Sequence, residues 1–380
     1  MQTQTLTHTY GKGWSQPKFP DLDGENTLVL VFGAARYGKE SRPFGEIKAA
    51  YPRAHVVGCS TSGEIRGGGV TDDTMVVNVT RFERSALRTV YATVPSADQS
   101  FRAGQELARD LLRADLRAVL ILSDGLHVNG SELVRGLNAT LPNTVVATGG
   151  LAGDGDRFKD TWVLGRSGPE SHLISAVGLY GASVRVGHGS RGGWDRFGPE
   201  RLITKSSGNV LYELDGRPAL TLYKEYLGER AAGLPATALL FPLAVRKCDS
   251  DSKTLVRTIL AVNENDRSMT FAGDVQQGHR AQFMCANFER LIDGAAAAAV
   301  LTRENGGEFE GDVLAIAISC VGRRLILGER TEEELEAALN ALPARTQQVG
   351  FYSYGEISPY ASGQCDLHNQ TMTLTTIVET

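Results

Sequence analysis

Two stretches of the chain set hydroxyl groups, a glycine and a carboxylate in one order. "GCSTSGEI" runs from Gly58 to Ile65, and "GFYSYGEI" from Gly350 to Ile357. A third copy, "GGLAGD" from Gly149 to Asp154, is one residue shorter. Ser60 and Thr61 stand near Glu64, and Tyr352, Ser353 and Tyr354 near Glu356; Asp154 takes the place of the acid in the third copy. Backbone N–H groups at glycine turns form concavities that hold anions. Such a set can grip a small zwitterion, with its carboxylate on hydroxyls and amides and its ammonium on the acid. The plainer alternative is structural: Gly63, Gly153 and Gly355 supply positive φ where the chain reverses, and the acids are turn residues.

Catalysis is a poorer reading of the same residues. Neither "GCSTSG" nor "GFYSYG" is the Gly-x-Ser-x-Gly of a nucleophile elbow, and "GGLAGDG" is not Gly-x-Gly-x-x-Gly. Cys59 is a candidate nucleophile with His55 four residues before it, yet a cysteine after "HVV" reads as a small buried hydrophobe. Cys365 and His368 have a Cys-x-x-His spacing, but three residues apart on a strand they point to opposite faces. No metal is expected.

The elements around the three copies share one grammar. "NTLVLVFG" and "AHVVGC" are strands flanking a helix in "ESRPFGEIKAAYP", with Ser41 as its N-cap. "LRAVLILSDG" and "TVVATGG" flank "NGSELVRGLNATLP". "GDVLAIAISC" and "TQQVGFYS" flank "RTEEELEAALNALP", where Thr331 and Glu334 form a capping box. A strand closes each copy, and the closing strands agree: Asp73-Thr74-Met75, Asp160-Thr161-Trp162 and Gln370-Thr371-Met372. The repeat is a β-α-β unit, a polar turn and a further strand. Crossovers between parallel strands are right-handed, so the turns fall at the carboxyl ends of strands, where α/β sheets bind ligands.

Bulk properties narrow the class. The chain has 380 residues, 42% hydrophobic and 22% charged, with a net charge of −5. That suits a globular protein of two domains and gives no general basic field for nucleic acid. No apolar run is long enough to span a membrane, and the N-terminus lacks the pattern of a secretory signal. Five scattered cysteines (Cys59, Cys248, Cys285, Cys320 and Cys365) fit reduced thiols in a cytoplasmic protein.

Longer strings carry a family resemblance. "LYELDGRPALTLYKEYLG" from Leu211, "CVGRRLILGERTEEE" from Cys320 and the C-terminal "GFYSYGEISPYASGQCDLHNQTMTLTTIVE" resemble the FIST family, as do "GCSTSGEI" and "GGLAGDG". The resemblance implies an α/β fold in two similar halves, with mixed sheets of repeated βαβ units and a cleft between the halves. The expected domains are a FIST-N-like domain, 26–218, and a FIST-C-like domain, 219–380. The implied function is that of an intracellular sensory protein that binds a small ligand, such as an amino acid, in signal transduction. Signalling then passes through a separate partner such as a histidine kinase. Ser60, Thr61, Glu64 and Asp154 would line one wall of the cleft, and Tyr352, Ser353, Tyr354 and Glu356 the other. No cofactor is expected on this reading. The alternative, also from the family, is a haem-binding nitric-oxide sensor. For that, His188 is the axial candidate because glycines on both sides leave room for a macrocycle, with Arg185 and Arg191 holding the propionates. An enzyme with a Cys59 or serine nucleophile is the remote third reading.

Overall fold

The computed structural model describes residues 1–380 except 235, 248–252, 308, 310 and 361–362, so Cys248 lies outside the described residues. The α/β class and the mixed sheets of βαβ units are as expected. In the first unit the strands Thr27–Ala34 and His55–Thr61 run parallel around the helix Ser41–Ala50. Thr74–Arg81 returns antiparallel beside the first of them, and Gln2–Thr9 lies outside it. The second unit repeats the order with Leu116–Ser123, the helix Gly130–Asn138, Val146–Leu151, then Leu173–Tyr180 flanked by Ala86–Thr93. The third uses Val313–Cys320, the helix Thr331–Asn340, Thr346–Ser353, then Met372–Glu379 flanked by Val184–Arg191.

Each unit lends the segment after its motif to another unit. Glu64–Arg66 leaves the first and pairs with Thr346–Ser353 of the third. Gly355–Pro359 leaves the third and pairs with Val146–Leu151 of the second. Val163–Leu164 leaves the second and pairs with His55–Thr61 of the first. The exchange is cyclic, so the three units surround a pseudo-threefold axis. Their strands are apolar on both faces because both faces are covered. Leu28, Leu30 and Phe32, then Ala118, Leu120 and Leu122, then Leu314, Ile316 and Ile318 meet in one central core. The alternate residues pack outward under the helices: Val29 and Val31, Val119 and Ile121, Ala315 and Ala317.

A fourth sheet, built from strands between residues 195 and 285, is inserted in the third unit and has its own core around Ile203, Leu214, Tyr223 and Phe283. The expected division at 218/219 falls within this insert, between the short strand Arg217–Pro218 and the helix Ala219–Leu227. Two expected caps are not made. Glu40 and Arg330 occupy the N-cap positions, one residue before Ser41 and Thr331. Glu334 turns inward instead of back to the helix start, because Arg323 waits for it there.

Candidate functional site

The first glycine of each motif is set by the neighbouring strand. Gly58, Gly149 and Gly350 stand opposite Val31, Ile121 and Ala317 in the parallel pairs. A Cβ at these glycines would lie 2.1, 1.8 and 1.7 Å from the carbonyl oxygen of that neighbour. The strands therefore approach as closely as they do only with glycine. Of the later glycines, Gly63 has positive φ, at 132°, and Gly153 and Gly355 do not. The turn-glycine expectation thus holds for one copy of three.

The three motifs meet at the axis through a ring of backbone hydrogen bonds. Ser62 N–H donates to Tyr352 O at 2.8 Å, Gly153 N–H to Ser60 O at 3.0 Å, and Tyr354 N–H to Leu151 O at 3.2 Å. Counted from the first glycine, donors and acceptors are equivalent in all three units. All eight residues expected to bind ligand are gathered here, but in the interior.

Each motif acid closes its own turn. Glu64 accepts from the Thr61 hydroxyl, from Thr74 N–H at 3.1 Å and from the Thr74 hydroxyl at 2.7 Å. Glu356 accepts from the Ser353 hydroxyl at 2.7 Å, Thr371 N–H at 3.3 Å and the Thr371 hydroxyl at 2.9 Å. This explains the Thr at the start of two of the three closing strands, Thr74 and Thr371. The shorter copy differs: Asp154 accepts from the amides of Phe158, Lys159 and Asp160 and from the Tyr354 hydroxyl, while Thr161 turns to Asp124. Burial pushes Glu64 up to about 7 and Glu356 up to about 8, with the hydrogen bonds opposing it in part. Burial opposes ionisation of Asp154 too, but there the Tyr354 hydroxyl and the loop amides prevail and hold it below the usual range. Ser60 Oγ accepts from Trp162 N–H at 3.0 Å, and the Tyr352 hydroxyl donates to Glu334 at 2.7 Å. These polar groups are committed to holding the axis together.

Tyr354 also lines a cavity, of about 430 Å³, at the carboxyl ends of the third unit's parallel strands. Cys320 and Tyr354 come from those strand ends, Phe158 from the second unit's loop, and Thr258 and Leu260 from the inserted sheet. The Phe158 and Tyr354 rings stack with centroids 4.4 Å apart and 15° between planes, with Phe158 held at a φ of 52°. Seven large apolar side chains are exposed among the described residues, and three of them line this cavity: Phe158 (46%), Leu260 (43%) and Leu325 (47%). Thr258 is buried in its wall, with a hydroxyl that has no partner. Sequence reasoning missed all of these except Tyr354. The one signal was Phe158, an aromatic in the polar run "GDGDRFKD".

The haem residues do not fit the group. His188, Arg185 and Arg191 lie on one strand, and alternation sends His188 to one face and the two arginines to the other. The flanking glycines are filled: a Cβ at Gly187 would lie 2.1 Å from Thr302 O and at Gly189 2.0 Å from Ala298 O, both in the helix Phe288–Gly306. The glycines admit a helix, not a macrocycle. Burial also pushes His188 down to about 4. The Cys59 reading meets a similar objection. Cys59 is fully buried, burial pushes its thiol well above the ordinary range, and His55 bonds to Thr89 instead, at 2.8 Å. No group of three or more metal-ligating side chains occurs among the described residues, and no helix there is long and apolar enough to cross a membrane.

Comparison with known proteins identifies the class. The FIST N domain matches residues 27–217 and the FIST C domain residues 219–359. The chain belongs to the FIST family, whose domains are sensory, small-ligand-binding modules of signal transduction. No curated protein matches it in sequence. Among solved structures, the crystal structure of cyanuric acid hydrolase from A. caulinodans is similar over 78% of this chain and 99% of that chain. The identity is 12% and the TM-score 0.18, too low to carry an argument.

Proposed function

We propose that this chain is a non-catalytic sensor that takes its small ligand in the cavity beside Tyr354 and passes its occupancy to a separate signalling protein. The observation that carries this reading is the convergence of Phe158, Leu260 and Leu325 on one cavity at the ends of parallel strands. Exposed apolar groups are ordinarily scattered, and concave clusters of them mark binding sites. The position is also where open α/β sheets take ligands. Because the cavity joins the second unit, the third unit and the inserted sheet, a ligand there touches all three and can change how they fit. A histidine kinase as the partner rests on the family resemblance alone.

Mass spectrometry of small molecules that copurify with the native protein, beside a Leu260→Asn/Leu325→Asn variant, tests the reading. A compound kept by the native protein and lost by the folded variant supports it. The same compound retained at full occupancy by the variant places the ligand elsewhere.

A further inference from the structure

The walls of this cavity also define what it will take. Its described lining contains no lysine, arginine or histidine, and its one charged residue is Asp156, which is exposed. A carboxylate, phosphate or sulfonate entering here would leave water without a cation to receive it and would face an acid. Desolvating an unpaired anion is among the costliest steps in binding. The stacked Phe158 and Tyr354 rings, by contrast, offer a flat apolar surface, and Leu260 and Leu325 extend it. Thr258 lines the cavity and is the source of one polar contact: its buried hydroxyl lacks a partner, and a change of χ1 rotamer would turn it toward a ligand. The Tyr354 hydroxyl is already taken, by Asp154 and by Gly155 O at 3.0 Å.

We infer that the ligand class is an uncharged aromatic or similarly flat apolar molecule with a single hydrogen-bonding group, which stacks on the Phe158–Tyr354 pair and satisfies Thr258. The inference rests on the cavity being the ligand site. It departs from the amino acid expected on resemblance, whose carboxylate finds no cation here.

Two dyes that differ by one charge test it: N-phenyl-1-naphthylamine, which is uncharged with one N–H, and 1-anilinonaphthalene-8-sulfonate, the same ring system with a sulfonate. Fluorescence titration of the full chain is expected to show the uncharged dye bound and the sulfonate roughly tenfold weaker or worse. Thr258→Val should weaken the uncharged dye several-fold. Leu260→Asn/Leu325→Asn should weaken it by about tenfold or more, and Leu112→Asn, at an exposed leucine elsewhere, should leave it unchanged. Circular dichroism checks that each variant is folded. If both dyes bind alike and both are lost in the double variant, the cavity stands as a site and the assigned class is overturned. If neither dye binds, or the double variant changes nothing, the cavity itself fails and the inference with it. An unchanged affinity in Thr258→Val overturns the polar contact.

Discussion

Arg323 and Glu334 form an ion pair at 2.6 Å, with both side chains completely buried. Arg323 also donates to the carbonyls of Leu291 and Gly192, and Glu334 accepts from Ser319 at 3.0 Å and Tyr352 at 2.7 Å. Every part of the pair is bonded, which is the condition under which a buried pair is tolerated. The network ties the third unit's strands to its helices and to the entry of the inserted sheet.

Glu334→Ala is therefore expected to destabilise the protein by about 3–5 kcal/mol, since it leaves a buried guanidinium without its counter-charge. Arg323→Met/Glu334→Leu should recover much of the loss, because two apolar groups leave no charge unpaired. Urea denaturation of the three proteins measures both effects. A double variant as unstable as the single one would show that the network's hydrogen bonds matter more than the charge.

The glycines of one motif should behave differently. In Gly350→Ala the new methyl meets the Ala317 carbonyl at 1.7 Å, which only a backbone shift relieves. In Gly355→Ala the nearest atom is a Leu367 methyl group at 3.0 Å, which can yield. Gly350→Ala should cost roughly 3 kcal/mol or prevent folding, and Gly355→Ala about 1 kcal/mol. Expression yield and thermal melts report the order, and equal losses would contradict the close-approach argument.

Stability should fall as pH rises through neutrality. Glu64 and Glu356 have folded pKa values near 7 and 8, above the ordinary value of 4.5, so the folded protein binds more protons than the unfolded chain. Their favourable contribution is complete below about 4.5 and is lost as pH climbs to the folded values. For Glu356 the loss is on the order of 5 kcal/mol. Glu356→Gln, which cannot ionise, should flatten the decline in unfolding free energy between pH 5.5 and 8. An unaltered slope would show that its carboxyl is ionised in the fold.

Thiol chemistry separates sensing from covalent catalysis. Burial pushes Cys320 up to about 12 and Cys59 well above its ordinary range; Cys59 is closed to solvent, and Cys320, at the cavity wall, keeps its thiol protonated. Iodoacetamide at pH 7.5 should leave both unmodified in the native protein and alkylate both in urea. Rapid native labelling of Cys59, read by peptide mass spectrometry, would restore the nucleophile reading.

The local pattern carried the units. Apolar runs bounded by turn residues, helices between them, and the shared Thr of the closing strands were all legible, because each depends on neighbours close in sequence. The faces of Val184–Arg191 were legible too: alternation alone parts His188 from Arg185 and Arg191. What filled the space beside Gly187 and Gly189 was not, since the helix that packs there begins about a hundred residues later. Nor was the cyclic exchange of strands, in which Glu64–Arg66 finds its partner near residue 350. Pairing between distant segments is decided by how whole sheets close on one another, and no periodicity records it. The cavity follows from that closure. Phe158, Thr258 and Tyr354 read separately as a loop aromatic, a strand threonine and a motif tyrosine. Only the meeting of the second unit, the inserted sheet and the third unit makes them one wall, because a concave surface belongs to the packing of elements and not to any of them alone.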